Sequence, residues 1–116
     1  MDLYNVWCDL KPGVSDRLFS DRVGAYLGHL QSEGLIRGWR LTRRKLGLGP
    51  VTIGEFHIGI EVENLTQLDS AFYRVAARRD PVEGFHHCVN SLVDNAQFAL
   101  YRDFPDAVRH AGEEKF

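Results

Sequence analysis

The sequence predicts an α+β fold: one antiparallel sheet with helices packed on a single face. Three observations carry this expectation. Residues 3–10 and 52–63 alternate apolar and polar side chains with period two, as half-buried strands do. Two other stretches, beginning near Ser15 and Thr66, repeat apolar residues at helical spacing. Read in order, the segments run strand, helix, strand, strand, helix, short helix, strand.

Each element has its own signal. In 3–10, Tyr4, Val6, Cys8 and Leu10 share one side, and Leu3, Asn5, Trp7 and Asp9 share the other. Lys11-Pro12-Gly13 ends the strand by removing a donor and permitting a turn. Ser15 reads as a helix N-cap, with Asp16 at the positive end of the dipole. Leu18, Phe19, Val23, Tyr26, Leu27 and Leu30 form that helix's apolar stripe, and Gly34 is a C′ glycine. Residues 35–46 hold Ile36, Trp39, Leu41 and Thr42 without a helix cap and read as a strand. Gly47-Leu48-Gly49-Pro50 is a turn. In 52–63, Phe56, Ile58, Ile60 and Val62 face one way, and Glu55, His57, Gly59 and Glu61 the other. These two strands are expected to pair as an antiparallel hairpin.

Thr66 with Asp69 resembles a capping box for the second helix. Leu65, Leu68, Phe72, Val75 and Ala76 form its stripe, and Asp80-Pro81 stops it. A short helix over 82–94 is expected to turn Phe85, Cys88, Val89 and Leu92 inward. Residues 96–104 alternate as a last strand, and a polar tail follows from Pro105. This order is βαββαβ, the ferredoxin-like arrangement. Phe19, Phe56 and Phe72 all fall on expected core faces, so truncating each to alanine is expected to destabilise strongly.

Composition narrows the class. The chain has 116 residues, 44% of them apolar, which suits one folded domain over 1–116 and argues against a disordered chain. No run of 18 apolar residues is present, so no transmembrane helix and no membrane partner is expected. The first five residues lack the charged start and apolar stretch of a signal peptide. Two cysteines are too few for a disulfide scaffold, and the default is a reduced, cytoplasmic protein. The net charge of −2 gives no general attraction for nucleic acid.

The face away from the helices carries Asn5, Trp7, Asp9, Glu55, His57, Glu61, Gln97, Ala99 and Tyr101. Trp7 alone in water exposes a large apolar surface, so a second copy is expected to cover this face as a homodimer. His57 is the leading catalytic candidate. Gly59 leaves room beside it, and Glu55, two residues away on the same face, is expected to raise its pKa and orient it as a general base. The bland alternative is a half-exposed histidine satisfied by a neighbour. Asn5, Trp7, Arg40 and Tyr101 complete a small-molecule pocket around it.

His86, His87 and Cys88 are adjacent. Helical neighbours point about 100° apart, so the three do not converge on one metal, and no metal is expected. His86 with Asn90, or His87 with Asn90 and Ser91, is expected to line a pocket; the alternative is a capping or packing role near the helix start. Cys8 and Cys88 read as inert buried thiols, and His29 and His110 as solvated. Arg37, Arg40, Arg43, Arg44 and Lys45 make the second strand basic. Ferredoxin-like sheets bind RNA through aromatics on two central strands. Here Glu55, His57 and Glu61 stand where the second set belongs, so no nucleic acid is expected. The arginines read as guards of an edge strand or partners of Glu55, Glu61 and Glu63. No phosphate loop, H-E-x-x-H or nucleophile motif is present.

The chain resembles the dimeric α/β-barrel superfamily, which includes stress-responsive A/B-barrel proteins and small cofactor-free monooxygenases. Leu3-Tyr4-Asn5-Val6-Trp7-Cys8-Asp9-Leu10, Gly38-Trp39-Arg40-Leu41 and Asp80-Pro81-Val82-Glu83-Gly84-Phe85-His86-His87 resemble more closely a small bacterial family of unknown function. The resemblance implies a homodimer and a cleft, either between sheet and helices or inside the barrel. It implies no particular activity. The expected function is a small-molecule binding protein or an enzyme without cofactor, carrying out proton transfer, isomerisation or oxygenation. The alternative is a non-catalytic module whose sheet face only dimerises.

Overall fold

A computed structural model describes residues 1–105; the tail beyond it, with His110, lies outside the described residues. The elements are β1 (Asp2–Leu10), α1 (Asp16–Ser32), β2 (Gly38–Arg43), β3 (Phe56–Val62), α2 (Leu65–Ala76), α3 (Val82–Asn90) and β4 (Val93–Arg102). They form one four-stranded sheet in the order β2-β3-β1-β4, with every pair antiparallel. The fold is ferredoxin-like α+β, as the element order predicts.

The core lies between the sheet and α1, α2 and α3. Cys8, Phe56, Ile58 and Val62 meet Phe19, Val23, Leu27, Leu30, Leu68, Ala71 and Val82 there. Register confirms the two faces: Val6 pairs with Ile58 and Phe98, and Trp7 with His57 and Gln97. In α1, Ser15 accepts a hydrogen bond from Leu18 N, and Gly34 takes a left-handed φ of +74° just past the helix. Both outcomes match the capping chemistry read from the sequence.

Other details differ. The N-cap of α2 is Asn64, not Thr66; its side chain accepts from Gln67 N, while Gln67 Oε1 accepts from Glu63 N at 2.7 Å. Thr66 lies within the first turn of the helix that Asn64 opens. α2 stops at Ala76, before Asp80-Pro81, because Arg78 turns to φ +52°. Both hairpin strands are shorter than expected, since residues 44–55 form a long strap between them. Phe72 is half-exposed and Cys88 is exposed, where both were expected in the core. α3 ends at Asn90 and reaches the core chiefly through Val82. His29 is half-buried against Phe85, with Nε2 3.2 Å from Glu33 Oε1, rather than solvated.

One buried charge is new. Asp2 has the parity of the core-facing residues and is 2% exposed. Arg102 on the neighbouring strand donates to it at 2.6 Å, which gives the charge the partner that burial demands.

Candidate functional site

Two places bring chemical groups together, on opposite sides of the sheet. On the open face, β1 and β3 place Trp7 opposite His57, with ring centroids 5.1 Å apart. Asn5 fixes the histidine. Its Nδ2 donates to Leu3 O and Ala99 O, at 3.2 and 3.4 Å, which turns Oδ1 toward His57 Nε2 at 2.8 Å. A carbonyl oxygen only accepts, so Nε2 carries the proton. Nδ1 is then an acceptor, 3.4 Å from the Thr42 hydroxyl, whose one hydrogen is shared with His57 O at the same distance. A Cβ at Gly59 would stand 3.3 Å from His57 Cε1, so the glycine does make room for the ring.

Arg40 pairs with Gly59 and shares this face. Tyr101 shares it too, opposite Leu3, four residues along β1 from Trp7 and so about 13 Å up the strand. Glu55 does not join the group. β3 begins at Phe56, so residue 55 falls outside its alternation. The Glu55 carboxylate instead lies 3.4 Å from Arg43 Nε, and Arg43 also meets Asp16 at 3.0 Å. Without that carboxylate, burial lowers the pKa of His57, the reverse of the expected direction.

The sign of that shift makes a prediction. A histidine with a folded pKa below its ordinary 6.5 favours folding fully above 6.5, and that contribution is lost as pH falls through the folded value. Wild-type stability is therefore expected to drop more between neutral and mildly acid pH than that of His57→Gln. Denaturant unfolding at fixed protein concentration measures both slopes; parallel slopes would show that His57 is not the titrating group.

The second place is a cavity of about 360 Å³ between the sheet and the helices. Its walls are mostly apolar, including Val6, Leu27, Ile58 and Ile60. The polar lining is Tyr4 from β1, Tyr26 from α1, and His86 and Asn90 from α3. The Tyr26 and His86 rings lie 5.7 Å apart. Burial, then the neighbouring Tyr4 and Glu83, pushes the Tyr26 hydroxyl up to about 12. Burial also raises Tyr4, whose ring meets Phe72 edge-on at 5.2 Å and stacks on Phe98 at 6.1 Å. The half-exposed Phe72 and Phe98 form the cavity's rim.

The sheet thus separates the two candidate site histidines, His86 and His57. In the sequence, Tyr26 stands as one member of the apolar stripe of α1. Its signal was a hydroxyl on an otherwise apolar helix face, where a buried tyrosine needs a polar purpose. Cys8 also lines the cavity, but burial and the Asp9 charge push its thiol up to about 11, which keeps it unreactive. Among the described residues, no three histidine, cysteine, aspartate or glutamate side chains converge as a metal-binding group. No helix among them is long and apolar enough to cross a membrane.

Comparison with solved structures supports the fold. An Arabidopsis thaliana protein, At3g17210, superposes with a TM-score of 0.72 at 11% identity, covering 93% of this chain and all of that one. A dimeric ferredoxin-like protein of unknown function from Jannaschia sp. CCS1 gives 0.65 at 11%, covering 89% and 100%. A hydroxynitrile lyase from Passiflora edulis gives 0.59 at 17%, covering 86% and 90%. At such identities the likeness is one of fold. No curated protein matches the chain. The sequence family is shown by its own model, which matches residues 1–116: the chain belongs to a family of unknown function, DUF6614.

Proposed function

We propose that this protein is a homodimer that binds a small, mainly apolar molecule in the cavity between sheet and helices and catalyses proton transfer on it without a cofactor. The observation that carries this is the Tyr26–His86 pair in the wall of a mostly apolar cavity of about 360 Å³. That is the ordinary makeup and size of a small-ligand site, in the range of about 300–1,000 Å³. Tyr26 stays protonated at neutral pH and donates a hydrogen bond to a carbonyl or hydroxyl oxygen of the ligand. His86, an imidazole beside it, takes or returns the proton. Asn90 orients the same polar end. The hydroxynitrile lyase of similar fold is an enzyme, which accords with this reading. The two free thiols accord with a reducing cytoplasm.

Homodimerisation is supported by the dimeric description of similar structures from Jannaschia and Bacteroides fragilis. We assign the open face, with Asn5, Trp7, Arg40, His57 and Tyr101, to the contact between copies. A second reading makes the protein a non-catalytic dimeric module. It is favoured by the closed hydrogen bonding of His57, whose two ring nitrogens both have protein partners.

An NMR screen of phenols and aromatic aldehydes against the full chain tests the choice. Bound probes are expected to shift the His86 and Tyr26 resonances. Tyr26→Phe or His86→Ala should weaken binding roughly two- to twelvefold, the effect of one hydrogen bond of about 0.5–1.5 kcal/mol. Hits that map to Trp7 and His57 and ignore both substitutions would move the site to the open face.

A further inference from the structure

The strap between β2 and β3 is built against its own local interest. Residues 46–54 carry no charged side chain. Leu46, Leu48 and Val51 are 91%, 78% and 93% exposed. Leu48 N donates to Lys45 O at 3.0 Å, closing a tight turn. Its two central residues, Leu46 and Gly47, both have positive φ, +55° and +66°. Such a turn favours asparagine, aspartate or glycine at each position. Leucine there is disfavoured by the backbone, at about 1–2 kcal/mol for the left-handed region, and exposes its side chain to water as well.

The strap cannot relieve this by folding its leucines inward. Arg44 turns into it and donates to Pro50 O and Ile53 O, at 2.8 and 2.9 Å. Gln97 Nε2 holds Thr52 O at 2.8 Å, and Asp9 accepts from Glu55 N at 2.9 Å. The strap is therefore fixed beside the open face, with Thr52 hydrogen-bonded to Gln97 on β4, and its apolar side chains point outward. A charge-free, rigid, exposed apolar surface continuous with a face that needs cover marks a protein contact. A matching surface exists on the same chain. Among the described residues β4 is an outer strand with one unpaired edge; its Phe98 and Leu100, which pair with Val6 and Tyr4 on the helix side of the sheet, and its Tyr101 on the open side are all at least half-exposed.

We propose that Leu46, Leu48 and Val51 form an arm that seats on β4 of a second copy of this chain. This rests on the homodimer reading and adds where the contact is made. By twofold symmetry each arm covers the other copy's β4, so the contact is made twice. Because Phe98 belongs to the cavity rim, the partner's arm would also close the cavity from outside.

Light scattering and sedimentation equilibrium on the full chain test the arm. Leu46→Asn is expected to raise the dimer dissociation constant roughly tenfold or more through lost apolar burial. The same substitution should leave the folded protomer as stable or more stable, because asparagine suits the turn. A merely structural leucine would not separate these two readouts. Leu48→Ser and Leu100→Ser should each weaken the dimer, and the double variant should lose less than their sum, since both remove one contact. A wild-type dimer whose dissociation is unchanged by Leu46→Asn and Leu48→Ser would overturn the arm and leave the dimer standing. Strict additivity of Leu48→Ser with Leu100→Ser would take the arm off β4. A wild-type monomer at micromolar concentration would overturn the homodimer reading itself, and its sedimentation with phosphatidylcholine vesicles would assign the strap to a lipid surface instead.

Discussion

Phe19→Ala is expected to destabilise the fold by about 3–5 kcal/mol, the usual cost of deleting a buried phenyl and leaving a cavity. Phe19 is fully buried. It projects from α1 onto the sheet, and its ring meets Phe56 edge-on at 5.1 Å, so the loss includes an aromatic pair as well as apolar area. Phe56→Ala should cost nearly as much. Phe72→Ala should cost about half in the isolated protomer, where Phe72 is 46% exposed, because transfer free energy scales with the area removed from water. Denaturant unfolding of the three variants orders them. Equal losses for Phe72 and Phe19 would mean that something covers the cavity rim in solution, as the arm of a second copy would.

That contrast shows where sequence reasoning works. Period-two alternation fixes the face of each residue in β1 and β3, because one misplaced step would turn every core side chain to water. The helices were legible from their stripes and from Ser15, whose hydroxyl has one obvious use before an apolar repeat. Depth was not legible. Phe72 and Phe19 sit in equally good stripes, yet α1 runs along the sheet while Phe72 lies at a cavity rim. Nor could alternation tell where a strand stops. It carried Glu55 onto the face of His57, but β3 begins one residue later and Arg43 takes the carboxylate.

The cavity was hidden for a related reason. Its polar groups come from three elements: Tyr4 on β1, Tyr26 on α1, and His86 with Asn90 on α3. Spacing within one segment shows only which side chains share a face, and it does pair His86 with Asn90. It does not show that α1 brings Tyr26 within 5.7 Å of His86. Asp2 has core parity in the sequence, but nothing local marks its partner, Arg102, 100 residues away.

Gly54→Ala is expected to be as damaging as a core deletion, for the opposite reason. The strap crosses β1 so closely that a Cβ at Gly54 would overlap the main-chain carbonyl of Cys8. Overpacking typically costs about 1–3 kcal/mol where side chains can shift. Here the obstacle is the backbone of a central strand, which is hydrogen-bonded on both sides, so the cost should reach or exceed the top of that range. The strap would lift, and the Glu55 amide would lose Asp9 and exchange faster with solvent. Gly28→Ala in α1 is the control. Nothing lies within 4 Å of a Cβ there, and alanine in a helix interior is favoured over glycine by about 0.5–1 kcal/mol. Unfolding midpoints should therefore move in opposite directions for the two substitutions. Should Gly54→Ala unfold like wild type with an unchanged Glu55 exchange rate, the strap would not be pinned to β1. Leu46, Leu48 and Val51 would then be free to fold away from a partner, and the arm would lose the rigidity that argues for it.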